Sequence, residues 1–87
     1  MNKTELEIEI ARLIFDYYEY CTYDITLKRC SDMAEMVIDS WKTIKLEDFG
    51  KFIKEAKGGQ FGMIFKSPAS FMSAFNVFKK LNMVIMP

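Results

Sequence analysis

Residues 45–68 read KLEDFGKFIKEAKGGQFGMIFKSP, and the two interruptions inside this stretch decide the fold. Leu46, Phe49, Ile53 and Ala56 recur at steps of three, four and three, which is one face of an α-helix starting near Lys45 or Leu46. Glu47 and Asp48 stand in its first turn and Lys54 and Lys57 near its end, so both sets of charges suit the helix dipole. Gly58 is then expected to supply the left-handed residue that terminates helices. Gly50, inside the helix, costs about 1 kcal/mol relative to Ala, and the close approach of a neighbouring helix would account for it. From Gly58 to Phe65 the chain is at its least helical. Gly58, Gly59 and Gly62 favour turns, and Phe61, Ile64 and Phe65 are placed to anchor such a loop to a core. Ser67-Pro68 marks a new start, because Ser is a favoured N-cap and Pro is tolerated at the first helical position.

Downstream, Phe71, Phe75, Phe78 and Leu81 follow at four, three and three, with Met72 widening the face and Asn82 able to close the helix. Met83 to Pro87 is a bare apolar tail, expected to dock on the core. Upstream, Leu27, Cys30, Ala34, Val37 and Trp41 form the stripe of a helix that Asp24 or Thr26 can cap, broadened by Met33 and Met36. Trp41 to Lys45 is a short connector. The first helix begins at a capping-box spacing, Thr4 and Glu7. Its stripe is Leu6, Ile10, Leu13, Tyr17 and Cys21, and a break follows near Thr22, Tyr23 and Asp24. Ile8, Phe15 and Tyr18 lie off that stripe, which predicts packing against several neighbours or against another chain. The fold class is therefore all-α: residues 1–87 form one domain, a compact bundle of about four helices with a Gly-rich loop between the third and fourth. Short connections favour adjacent, antiparallel neighbours.

An 87-residue chain buries only roughly 60–65% of the surface it exposes when unfolded, so its core has little to spare. The apolar share is 51%, with eight Phe, four Tyr and one Trp supplying most of the bulk. Such a surplus of aromatics leaves some available to a partner. The formal charge is zero but unevenly spread. Residues 1–50 hold six basic and eleven acidic residues, a net of −5, and residues 51–87 hold six Lys and one Glu, a net of +5. The two halves can attract each other within the fold or steer a charged partner. Cys21 and Cys30, nine residues apart, read as reduced thiols. No apolar run approaches the roughly 20 residues that span a bilayer. The acidic opening around Thr4, Glu5, Glu7 and Glu9 has neither the basic nor the apolar region of a secretory signal. These features predict a soluble cytoplasmic protein with no membrane attachment.

The chain has no histidine, which removes the commonest metal ligand, the usual general base and the Ser-His type of nucleophile activation. Two cysteines fall short of the about four ligands of a structural zinc site. Each lies on the apolar stripe of its helix, where a thiol is normally inert. Carboxylates are scattered over solvated helix faces without an acid/base dyad. The glycines match neither the phosphate-loop pattern nor a dinucleotide loop, which needs a preceding strand. The chain thus reads as a non-enzyme that needs no metal and no cofactor.

Two surfaces remain. Tyr17, Tyr18, Tyr20 and Tyr23, with Asp16 and Glu19 beside them, form the best candidate interface, because four Tyr within seven residues do not all fit one core and aromatics are enriched at interface hot spots. Lys51, Lys54, Lys57, Lys79 and Lys80, interleaved with Phe, are the candidate nucleic-acid contact, since single strands are bound by cations beside stacking aromatics.

The pattern Leu46-x-Asp48-Phe49-x-x-Phe52-x-x-x-Ala56-Lys57-x-Gly59-x-Phe61-Gly62-x-Ile64-Phe65 resembles a family of small proteins of bacteria, their phages and mobile elements. In that family a helix opening Leu-x-Asp-Phe runs into a Lys-x-Gly-x-Tyr-Gly-x-Ile-Tyr turn and then another helix. This chain has Phe at 61 and 65 where Tyr is common, and Ser67-Pro68-Ala69-Ser70 where Asp-Gly is usual. The resemblance implies a phage or mobile-element origin and action in a bacterial cytoplasm, and it assigns no role to individual residues. Such an origin points to an inhibitor that binds a larger host protein or ribonucleoprotein, as anti-CRISPR proteins do in blocking nucleic-acid-processing defence complexes. The alternative is a nucleic-acid-binding accessory factor for phage or plasmid replication. Self-association is a further expectation.

Overall fold

The structure, a computed structural model, describes residues 2–62 and 65–83. Four helices follow one another: α1 (Lys3–Tyr20), α2 (Leu27–Ser40), α3 (Leu46–Lys57) and α4 (Pro68–Met83). No strand occurs among the described residues, so the chain is all-α, as its periodicity predicts. The expected docking of the tail after Met83 lies outside the described residues, as does Ile64 in its expected role as a loop anchor.

Each helix start has a local cause. Asn2, and not Thr4, caps α1: its Oδ1 accepts from the Glu5 N–H at 2.8 Å. Thr4 already lies inside the helix, so the expected box with Glu7 does not form. Thr26 caps α2, accepting from the Arg29 N–H at 3.1 Å. At α3 the Asp48 carboxylate accepts from the Lys45 N–H at 2.9 Å. The reciprocal half of that box is absent because an ammonium group has no acceptor. The Ser67 hydroxyl accepts from the Ser70 N–H at 3.2 Å at the start of α4.

The stop after α3 falls one residue later than expected. Gly58 keeps a right-handed φ of −78°, and Gly59 takes the left-handed one at +82°. A side chain at Gly59 would be strained, whereas Gly58 would tolerate one. Gly50 makes no close approach, since an added Cβ there would meet nothing within 4 Å. Gly50→Ala is therefore expected to raise stability by about 0.5–1 kcal/mol by lowering the entropy of the unfolded chain, read as a higher urea midpoint at an unchanged slope.

The core joins Ile10, Ile14, Tyr17 and Tyr18 of α1 to Cys30, Met33, Ala34, Val37 and Ile38 of α2, and to a phenylalanine layer between α3 and α4. Helix α1 packs on both α2 and α3, and α4 returns onto α2. The order departs from a run of sequential neighbours, because α3 lies against α1. Its face is wider than the 46-49-53-56 stripe: Phe52 is also fully buried and meets the rings of Phe71, Phe75 and Phe78 on α4 at 5.6, 5.3 and 5.4 Å. Leu27 and Leu81, which the spacing assigns to the core, are exposed. Each sits at one end of its helix, where the stripe overhangs its neighbours. Among the described residues no helix is long and apolar enough to cross a membrane.

Candidate partner-binding surface

The tyrosine cluster divides into two halves. Tyr17 and Tyr18 are core residues, 3% and 2% exposed, which corrects their assignment to a docking surface. They follow Ile10 and Ile14 on the inward face of α1, where they hold the loop after α3. The Tyr18 hydroxyl donates to the Phe65 carbonyl, and the Tyr17 ring stacks on Phe65 at 5.5 Å. Tyr23 is half-buried, with its ring 5.6 Å from that of Tyr18. Only Tyr20, 62% exposed, stands in solvent, beside exposed Asp16 and Glu19. Lys57 ties this patch to α3, because its Nζ pairs with the Asp16 carboxylate and sits 5.3 Å from the centre of the Tyr20 ring.

Burial also sets the chemistry of the phenols. Loss of water pushes the Tyr17 phenol up from 10.0 to about 12, with the neighbouring Cys21 adding to the rise. Tyr18 is raised in the same direction, again chiefly by burial. The unfolded chain releases these protons near pH 10 while the folded chain keeps them. Stability is therefore complete below about pH 10 and falls as pH climbs toward 12. Denaturant melts across that window, read with phenolate absorbance, are expected to show unfolding and tyrosine ionisation together.

In the basic half most of the phenylalanines turn inward, away from the lysines. Of those interleaved with the lysines, Phe52 and Phe65 are buried and Phe61 is half-buried. Lys79 donates to the Ser40 carbonyl at 3.1 Å and to its hydroxyl at 3.2 Å, tying α4 to α2. Lys51 donates to Asn82 Oδ1 at 3.2 Å, and Lys57 is engaged with Asp16. Lys54 and Lys80 are exposed. The five lysines predicted as one contact are thus mostly braces between helices.

Cys30 is fully buried, and burial raises its thiol, so it holds its proton as a core residue does. Cys21 is half-buried at the end of α1. Among the described residues no three His, Cys, Asp or Glu side chains converge as metal ligands would.

The surface that the residue-by-residue reading missed lies between α1 and α2. Glu7, Ile8, Ala11, Arg12 and Phe15 of α1, with Leu27 and Ser31 of α2, line an open groove of about 350 Å³. Ile8 is 49% and Leu27 71% exposed, with Ala11 and Phe15 half-buried between them. Ile8, Ala11 and Phe15 follow at three and four on the outer side of α1. The signal was present in the off-stripe Ile8 and Phe15. Its other half, Leu27, was hidden because its spacing places it in the core. Comparisons with known protein families, with curated proteins and with solved structures found no match for this chain.

Proposed function

We propose that this chain is a non-catalytic binding module that docks a larger protein through the groove between α1 and α2. One observation carries the reading: two large aliphatic side chains, Ile8 of α1 and Leu27 of α2, stand in solvent and line one groove with half-buried Ala11 and Phe15. Leaving apolar surface gathered in water is costly at about 25 cal/mol per Å², and patches of this kind on small domains commonly mark contact sites. The lack of histidine and the burial of Cys30 support a role without catalysis.

The finer reading rests on the resemblance at residues 46–65. The partner is a host nucleic-acid-processing defence complex in the bacterial cytoplasm, and docking inhibits it. The accessory-factor alternative has less support, because Phe52 and Phe65, two of the phenylalanines that would stack bases, lie in the core. The full chain is accordingly expected to give no salt-sensitive binding to a labelled single strand, in contrast to the steep salt dependence of phosphate-contacting proteins.

The test is affinity capture from infected host cells with the wild-type chain and with Leu27→Lys, paired with an interference assay in the same host. A partner recovered by the wild type, lost by the variant, and released from inhibition along with it supports the proposal. Recovery of no specific partner, or equal recovery by both chains, overturns it.

A further inference from the structure

We infer that the occupant of the α1/α2 groove is a cationic amphipathic helix of a partner protein, an inference that rests on the docking reading above. The first reason is shape. Ile8 and Phe15 are seven residues apart on one helix, about 10 Å of rise or two helical turns. The walls come from two packed helices, α1 and α2. A helix laid between two others presents side chains at i, i+3, i+4 and i+7, the spacing that fills such a groove. Its apolar stripe would cover Ile8, Phe15 and Leu27 together.

The second reason is charge. Glu7 lines the groove itself. Beyond it, Glu5 stands three residues before Ile8 and Glu19 four after Phe15 on α1, and Glu35 stands four after Ser31 on α2. None of these four carboxylates takes part in an ion pair among the described residues. Arg12 also lines the groove, but it lies 3.7 Å from Glu9, and nearby Lys28 lies 3.1 Å from Asp32. The groove is therefore largely apolar, with an excess of unpaired carboxylates around it. An anionic lipid surface or a nucleic acid meets repulsion there. A second copy of the chain brings the same acidic rim and meets it too. A helix with Lys or Arg flanking an aliphatic stripe satisfies both features, and the oppositely charged rim speeds its approach.

The experiment uses the isotope-labelled full chain and two synthetic helical peptides with identical Leu spacing, one Leu/Lys and one Leu/Glu. The Leu/Lys peptide is expected to bind, with amide shifts gathered at Ile8, Ala11, Phe15, Leu27 and Ser31, and to weaken as salt is added. The Leu/Glu peptide is expected to bind about tenfold more weakly or worse. Leu27→Lys and Ile8→Lys, both at exposed positions, are expected to lower Leu/Lys affinity about tenfold while melting as the wild type does. Leu81→Lys, on the exposed side of α4, is expected to leave it unchanged. Equal binding of the two peptides, shifts gathered elsewhere, or full affinity in both groove variants overturns the inference. So does a dimer of the free chain in sedimentation that Ile8→Lys dissolves, or binding to phosphatidylserine vesicles that Leu27→Lys abolishes. If infected cells yield a Leu27-dependent partner whose docking segment is not a cationic helix, this inference falls and the docking reading stands. If neither peptide nor partner binds, both fall.

Discussion

Phe52→Ala is expected to remove about 3–5 kcal/mol of stability, enough to unfold most of a domain this small. Phe52 is fully buried, and its ring lies 5.6 Å from Phe49, 5.3 Å from Phe61 and 6.4 Å from Phe65. It also meets three rings of α4, two of them edge-on at 88°. Edge-to-face pairs of this kind contribute about 0.5–1.5 kcal/mol beyond simple burial. Truncation leaves a cavity walled by other rigid rings, which cannot collapse into it as flexible side chains would. Phe52→Leu, which keeps most of the volume, should cost much less, about 1–2 kcal/mol. Urea unfolding of both variants, with near-ultraviolet circular dichroism to follow the aromatic packing, separates the two. A loss below about 1 kcal/mol in the Ala variant would mean that the phenylalanine layer is not packed as described.

Phe52 also shows where sequence reading stops. The 46-49-53-56 stripe located α3, and the Gly and Ser-Pro signals around it bounded α3 and α4 to within a residue. A stripe, however, records one contact direction. Helix α3 faces both α1 and the phenylalanines of α4, so its buried face is wider than any single stripe, and the most connected ring in the protein lies off it. The reverse holds at Leu27 and Leu81. Both keep perfect spacing and both are exposed, because periodicity says which side a residue is on and not whether a neighbour reaches that far along the helix. The cap of α1 fell to Asn2 in place of Thr4 for a similar reason. Both offer a side-chain acceptor, and the choice depends on how far upstream the helix propagates.

The candidate surfaces were legible to the same extent. That four tyrosines in seven residues cannot share one core was correct, but which pair turns inward depends on where the loop after α3 lands. It lands on Tyr17 and Tyr18, through Phe65. Of the two readings of the charge asymmetry, attraction within the fold is met in part: Lys57 closes onto Asp16 and Tyr20, so acidic and basic halves partly satisfy each other. The groove needs α1 and α2 side by side before Ile8, Phe15 and Leu27 become one feature.

Tyr18→Ala is the second change with a large expected effect, about 3–5 kcal/mol, and it separates core from interface. The variant loses a buried ring and the hydroxyl that donates to the Phe65 carbonyl across a separation of 47 residues. Tyr18→Phe keeps the ring and removes only the donor, leaving a buried carbonyl short of that proton, so about 1–3 kcal/mol is expected. Because this bond fastens the glycine-rich loop to α1, hydrogen exchange in Tyr18→Phe should rise first around Phe65 and Lys66, before the α1/α2 pair opens. Tyr20→Ala provides the contrast. Its ring is exposed and gains from Lys57 a contact of about 0.5–1 kcal/mol, so the loss should stay within that range. If Tyr18→Ala melted with the wild type while losing a partner, Tyr18 would be a contact residue and its placement in the core would be wrong. If its binding falls only in step with its folding, while Leu27→Lys loses the partner at full stability, the docking surface is the groove and the tyrosine pair is what holds the loop beneath the fold.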